Sequence, residues 1–363
     1  MHSDDAPGGP HASATQVRHR RRRTGCPSAA GLGKIAQVTD TPVQLSHWPT
    51  PLDPAPRLGK ALGLGPGDLW IKRDDLTDLG GGNKVRKLEY LVAEALATGA
   101  TVLVASGGAQ SNHARATAAA AARVGLGAVL VLGGTPLAGR PGNLALDELL
   151  GAEIVLAEGL FGAALERRVE EVADRLRAAG EVPAVLPFGG SSVVGARGYV
   201  ACAAELHQQA PDAAHVVVAV GSGGTMAGLV AGLGAERVLG IDTGALTDPL
   251  PRIAALVAQL GGGRGPLRLD RDQVGEGYGR LTSAATAAMR TAARTEGLLL
   301  DPVYTGKAIA GLASAVSEGI VRPGQRTVFV HTGGLPGLFG HAFAAELAAV
   351  AIGSGRRGLM RAT

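Results

Sequence analysis

The run Gly80-Gly81-Gly82-Asn83-Lys84-Val85-Arg86-Lys87-Leu88-Glu89 puts a lysine where a fold gains little from one. Three glycines and an Asn read as the end of a loop, and Val85 to Val92 begins an amphipathic helix. Asn is a favoured N-cap, so Lys84 falls at the first helical position. The N-terminus of a helix carries partial positive charge, which disfavours a cation and lowers the cost of a neutral amine. A neutral lysine is a nucleophile able to form a Schiff base with a carbonyl. Taken alone, the same segment also describes a solvated lysine on a surface helix.

Gly221-Ser222-Gly223-Gly224-Thr225 follows an apolar run and opens a second helix at Met226. Glycines let backbone N–H groups converge, hydroxyls add donors, and the helix terminus favours an anion, so the segment reads as a phosphate cup. It lacks the Gly-Lys-Ser/Thr ending of a Walker loop, and Met226 stands where a dinucleotide fingerprint needs its third glycine. A plain strand–helix turn is the other reading. Ser111-Asn112-His113 closes Gly107-Gly108-Ala109-Gln110 at another helix start, where the first two residues either cap the helix or hold a carboxylate. Tyr278 and Tyr304 lie in glycine-flanked loops, as packing lids or as groups able to move a proton or stack on a flat cofactor. Thr332, in His331-Thr332-Gly333-Gly334, ends a strand and sets a hydroxyl where it could reach a ring nitrogen. A phosphate cup, a lysine kept neutral and a hydroxyl partner together suggest pyridoxal phosphate.

These loops need elements to hold them. Apolar runs at 101–105, 128–132, 153–157, 185–187, 215–220, 237–241, 297–303 and 327–331 alternate with helical stretches near 112–124, 142–150, 160–179 and 195–209. Continuous apolar strands between helices predict parallel sheets covered by helices, an α/β fold. The unusual loops fall at 106–113, 189–192, 221–225 and 331–334, at the carboxyl ends of strands where such sheets bind ligands.

With 363 residues, 46% of them hydrophobic, the chain is long enough to bury a large core and form two lobes. Its two cysteines, Cys26 and Cys202, give neither a disulfide framework nor metal-ligand spacing, and fit a reducing cytoplasm. No metal site and no membrane span are expected. The net charge of +4 is concentrated at the start: residues 1–40 hold five Arg and one Lys against three Asp, a net of +3. The run Arg18-His19-Arg20-Arg21-Arg22-Arg23 lacks interleaved aromatics and a following apolar stretch, so it reads as a disordered extension, not a nucleic-acid site or a secretory signal.

Several motifs, taken in order, resemble the D-cysteine desulfhydrase/1-aminocyclopropane-1-carboxylate deaminase group of pyridoxal-phosphate enzymes. They are Lys72-Arg73-Asp74-Asp75-Leu76-Thr77, Gly81 to Glu89, Gln110-Ser111-Asn112-His113, Gly189-Gly190-Ser191, Gly277-Tyr278-Gly279, Asp301-Pro302-Val303-Tyr304-Thr305-Gly306-Lys307 and His331 to Gly334. The resemblance covers roughly residues 40–345. It implies the two-lobed, tryptophan-synthase-β-like fold type II, with a larger lobe from 40–81 plus 201–350 and a smaller one from 82–200. Residues 1–39 and 351–363 are then an extension and a tail.

The resemblance implies Lys84 as the Schiff-base lysine, with Gly221, Ser222, Gly223, Gly224 and Thr225 around the phosphate. Asn112 would meet the ring hydroxyl and Thr332 the ring nitrogen. Ser111 would hold the substrate carboxylate, Asn112, His113 and Ser191 would also face the substrate, and Tyr278 and Tyr304 would flank the reacting carbons. Thr305 follows the motif tyrosine where ring-opening deaminases carry Glu and desulfhydrase-like members carry Thr, which favours elimination. In one departure, Ser192 stands where the group often has Asn. The expected protein is a cytoplasmic, homodimeric lyase acting on a small amino acid, D-cysteine first. 1-Aminocyclopropane-1-carboxylate deamination and cysteate desulfonation are the alternatives, and a non-catalytic phosphate-ligand-binding protein is the more distant one.

Overall fold

Unbroken runs of Val, Leu, Ile and Ala become strands buried on both faces, and the Ala-rich amphipathic stretches between them become the covering helices. The computed structural model describes residues 41–134, 142–263 and 265–346; the arginine-rich extension and the C-terminal tail lie outside them. The chain enters through β1 (Leu52–Pro54), α1 (Pro56–Ala61) and β2 (Leu69–Lys72). It continues through α2 (Lys84–Ala97), β3 (Val102–Gly108), α3 (Asn112–Val124), β4 (Gly127–Gly133), α4 (Gly142–Leu149), β5 (Glu153–Ala157), α5 (Gly162–Ala178) and β6 (Pro183–Val185). Next come α6 (Val193–Gln209), β7 (His215–Val220), α7 (Gly224–Leu233), β8 (Val238–Asp242), α8 (Leu250–Gln259) and β9 (Arg268–Asp270). The last elements are α9 (Ser283–Glu296), α10 (Thr305–Ser317), β10 (Thr327–Val330) and α11 (Leu335–Phe339).

The strands form two sheets. A four-stranded parallel sheet has the order β5-β4-β3-β6, all from residues 102–185. A six-stranded sheet has the order β1-β2-β10-β7-β8-β9 and joins residues 52–72 to residues 215–330. It is parallel throughout except for the antiparallel β1–β2 edge. Alternation divides the larger sheet's side chains between two cores. Ile71, Val217, Ile241 and Phe329 pack with α1, α9 and α10, whereas Val216, Val218, Val238 and Val330 pack with α6, α7 and α8.

The apolar run at 297–303 is no strand. Gly297 takes the left-handed conformation (φ 68°) that ends α9, and Pro302 has no N–H to give a ladder. The Asp301 carboxylate takes the N–H groups of Val303, Tyr304 and Thr305 at 2.9, 2.9 and 2.8 Å, which turns the chain into α10.

One buried ionic network fixes α2 against the rest. Arg86 donates to both Asp74 oxygens at 2.8 and 2.9 Å and to both Glu205 oxygens at 2.7 and 2.9 Å. Tyr199 donates to Asp74 and Lys72 to Glu205, each at 2.5 Å. The Arg86 charge holds the Asp74 carboxyl below its usual range against the cost of burial. The network ties the end of β2, helix α2 and helix α6 into one frame, from which Lys84 projects.

Candidate active site

Lys84 opens α2, as its sequence context predicts, but its neighbour does not act as a side-chain cap. The Asn83 amide instead donates from Nδ2 to Thr225 Oγ1 at 3.0 Å and accepts Lys84 Nζ on Oδ1 at 3.0 Å. The Asn83 N–H donates to the Thr332 carbonyl at 3.1 Å, so one residue links the lysine, the glycine cup and the end of β10. Two backbones cross closely here. A Cβ on Gly333 (φ 84°) would lie 2.6 Å from the Gly82 Cα, and Gly82 itself has φ 109°, so both positions require glycine.

The half-buried Lys84 amine is lowered from 10.5 to about 8, first by burial and then by the Arg115 charge, against an upward pull from Asp301. The neutral tendency read from the sequence is therefore present, with burial rather than the helix terminus as its leading cause.

Lys84 faces a cavity of about 450 Å³. Across it, Gly221, Ser222, Gly223 and Thr225 line the wall between β7 and α7. The N–H groups of Ser222 and Gly223 lie between elements, and neither finds a partner among the described hydrogen bonds. Gly224 is different: it does not reach the cavity, and its N–H donates to Ser191 Oγ at 3.1 Å. Ser191, expected against the substrate, lies behind the cup instead. Its hydroxyl bonds Ser222 Oγ at 2.7 Å and accepts Lys87 Nζ at 3.0 Å, so it supports the loop. Ser192 is at the N-cap of α6, with its hydroxyl accepting from the Gly195 N–H at 3.2 Å. An Asn would cap equally well there, so the departure at this position changes no cavity-facing group.

Ser111, Asn112, His113, Thr332, Tyr278 and Tyr304 all line the same cavity. Ser111 caps α3, its hydroxyl accepting the Ala114 N–H at 3.2 Å, and it also lines the cavity. The His113 imidazole is buried beside the Pro187 carbonyl, with neither ring nitrogen at full hydrogen-bonding geometry to a partner. Burial and the charges of Lys84 and Lys87 push it down to about 3, so it stays neutral. Tyr278 and Tyr304 join hydroxyl to hydroxyl, with ring centroids 6.1 Å apart in an edge-on arrangement. Burial holds the Tyr304 phenol well above its ordinary value. Thr305 does not reach the cavity; its hydroxyl donates to Asp301 at 2.7 Å.

Lys87, Asn83 and Asp301 also belong to the site, and no motif chemistry singled them out in the sequence. Lys87 lines the cavity one helical turn beyond Lys84 and donates to the Gly189 carbonyl at 3.2 Å and to Ser191. Its spacing from Lys84 was the available signal. Unused N–H groups in the cup, an unpartnered imidazole, a lysine of lowered basicity and a lining hydroxyl at Thr332 form a set suited to a phosphorylated carbonyl cofactor.

Comparisons with known proteins agree with that chemistry. A family model described as pyridoxal-phosphate dependent enzyme matches residues 43–333. The D-cysteine desulfhydrase of Klebsiella pneumoniae subsp. pneumoniae is 41% identical over 319 residues, which span 82% of this chain and 95% of that protein. A crystal structure described as an ACC deaminase homologue aligns at TM-score 0.78 and 37% identity, over 85% of this chain and 96% of its own. The processed form of threonine deaminase isoform 2 from Solanum lycopersicum, at 18% identity and TM-score 0.60 over 86% of this chain and 89% of its own, shares the fold.

Proposed function

Because this chain belongs to the family of pyridoxal-phosphate dependent enzymes, we propose that it catalyses β-elimination on a small amino acid, with D-cysteine as the first substrate. The products are then pyruvate, hydrogen sulfide and ammonia, with one water consumed. When bound, pyridoxal phosphate supplies an aldehyde that condenses with an amine and a ring that draws electrons from the substrate Cα. Lys84 would hold the aldehyde, Ser222, Gly223 and Thr225 the phosphate, Asn112 the ring oxygen and Thr332 the ring nitrogen.

The observation that carries this reading is Lys84, whose amine, held near 8, faces the unused N–H groups of the cup. At neutral pH an appreciable fraction is free base, so the Lys84 amine would also serve to take the proton from the substrate Cα. Ser111, at the start of α3, is placed to orient the substrate carboxylate. The Tyr278–Tyr304 hydroxyl pair is suited to hand a proton to the departing sulfur, since burial keeps Tyr304 protonated. A hydroxyl at Thr332 does not protonate a ring nitrogen as a carboxylate does. That suits elimination, where the leaving group itself accepts the electrons.

The second reading is opening of 1-aminocyclopropane-1-carboxylate, favoured by the likeness to the ACC deaminase homologue. Product assays over D-cysteine, L-cysteine, cysteate, β-chloro-D-alanine and 1-aminocyclopropane-1-carboxylate decide between them. Pyruvate with sulfide from D-cysteine is expected. 2-Oxobutyrate from the cyclopropane, with nothing from D-cysteine, would reverse the assignment.

A further inference from the structure

Asn143, at the start of α4, is fully buried and lies outside the cavity wall, yet it sits one hydrogen bond behind Asn112. Its partners fix which way its amide faces. The buried Arg115 guanidinium, which can only donate, approaches Asn143 Oδ1 with Nε at 3.4 Å. The Gln110 carbonyl, which can only accept, takes Asn143 Nδ2 at 3.0 Å. The Asn143 backbone N–H donates to Gln110 Oε1 at 2.8 Å, which holds the residue in place. With its oxygen toward the guanidinium and its nitrogen toward a carbonyl, Asn143 can only donate to Asn112, and it does so at 2.8 Å onto Oδ1. Asn112 lines the cavity, so its remaining polar group there is the Nδ2 amide, a donor. Arg115 is itself held by the Leu79 and Gly81 carbonyls, in the loop that leads to Lys84, so both sides of the cavity share this anchor.

We propose that Asn143 is a positioning residue that sets the polarity of Asn112, so that the cavity at this point accepts only an acceptor oxygen. Resting on the reading of the cavity as a pyridoxal-phosphate site, it assigns that oxygen to the 3-position of the ring, held in its anionic form. N143D tests the direction of the relay. A carboxylate still meets Arg115 but cannot donate, so Asn112 must turn its own Nδ2 toward it and present Oδ1 to the cavity.

The experiment combines neutron diffraction of the unsubstituted protein with a double-mutant cycle of N143D and N112A, read as the dissociation constant of pyridoxal phosphate and the pH midpoint of its bound absorbance band. Expected are deuterium density on Asn112 Nδ2 toward the cavity, a roughly tenfold weaker constant and a raised midpoint in N143D, and less than a twofold change when N143D is added to N112A. Equal losses in both backgrounds would make Asn143 merely structural and overturn the proposal, as would an Asn112 oxygen toward the cavity. Should N143D not fold, the neutron map decides the polarity by itself. Failure of the unsubstituted chain to take up pyridoxal phosphate would sink the cofactor reading and its ring oxygen, while the map separately decides the direction of the relay.

Discussion

If Lys84 in the cofactor-free protein titrates near 8, it must react with electrophiles far below the pH at which other lysines do. At pH 8 roughly half of its amine is neutral, whereas an ordinary lysine near 10.4 is neutral in roughly one molecule in 250, an advantage on the order of a hundredfold. Trace acetylation across pH 6–11, read peptide by peptide by mass spectrometry, gives the midpoint directly. Asp301 pulls the Lys84 value upward and Arg115 pushes it downward, so Asp301→Asn must lower the midpoint and Arg115→Gln must raise it.

The same shift has a cost to stability. A fall from 10.5 to about 8 corresponds to about 3 kcal/mol against the charged form, trimmed to ~2 because the side chain is half-buried and partly screened. With the folded value below the unfolded one, that cost is present in full below pH 8 and fades as the pH rises toward 10.5. Cofactor-free Lys84→Met should therefore be more stable than the parent at pH 7 and match it above pH 10.5. A labelling midpoint near 10, or an upward move on Asp301→Asn, would refute the account of burial and charge given for this lysine.

Arg86→Met leaves the Asp74 carboxylate buried without its main partner, so it should cost about 3–5 kcal/mol in urea unfolding, and far more than any surface Arg substitution. His113 is neutral when folded but protonates when unfolded, so the parent should lose about 1.4 kcal/mol per pH unit between pH 6.5 and about 3 that His113→Phe does not lose. Unfolding midpoints measured in that window check the difference in slope. If the Tyr pair delivers a proton to the leaving group, Tyr304→Phe should lower kcat for D-cysteine by about 100-fold with little change in KM, and lose much less with β-chloro-D-alanine, whose chloride leaves unprotonated.

The parallel sheets and most of their strands were legible because burial on both faces needs continuous apolar runs, as at His215–Val220 and Gly127–Gly133. The short β1, β2 and β9 carry too few residues for a pattern, and each is fixed by pairing along an existing edge. At 297–303 the apolar content was correct and the ladder was not, since Asp301 takes the N–H groups that a strand would donate. The cavity-lining Asn83 and Lys84 were legible for a similar reason: few folds need three glycines before an Asn and a Lys. The side-chain partnerships were not. That Asn83 bridges to Thr225, that Ser191 supports the cup and that Asn143 stands behind Asn112 all depend on contacts spanning 31 to 142 residues of chain.

Two lysines one helical turn apart line this cavity, and lowered basicity alone does not choose between them. Burial and the charges of Lys84 and Arg252 hold Lys87, too, well below its ordinary value. Yet Lys87 is buried with its Nζ already donating to the Gly189 carbonyl and to Ser191, which leaves it no free approach to an electrophile. Lys84 makes a single bond, to the Asn83 oxygen, and is the half-buried one of the pair. Reactivity here follows from what the amine is free to meet as much as from how readily it gives up its proton. Asn83 joins the two requirements: its oxygen steadies Lys84 and its nitrogen holds Thr225, so the lysine and the glycine-rich loop keep their spacing through one side chain. That is a stronger reason for Asn before this lysine than helix capping, since a Ser would cap as well but carries a single polar atom and could not span both groups.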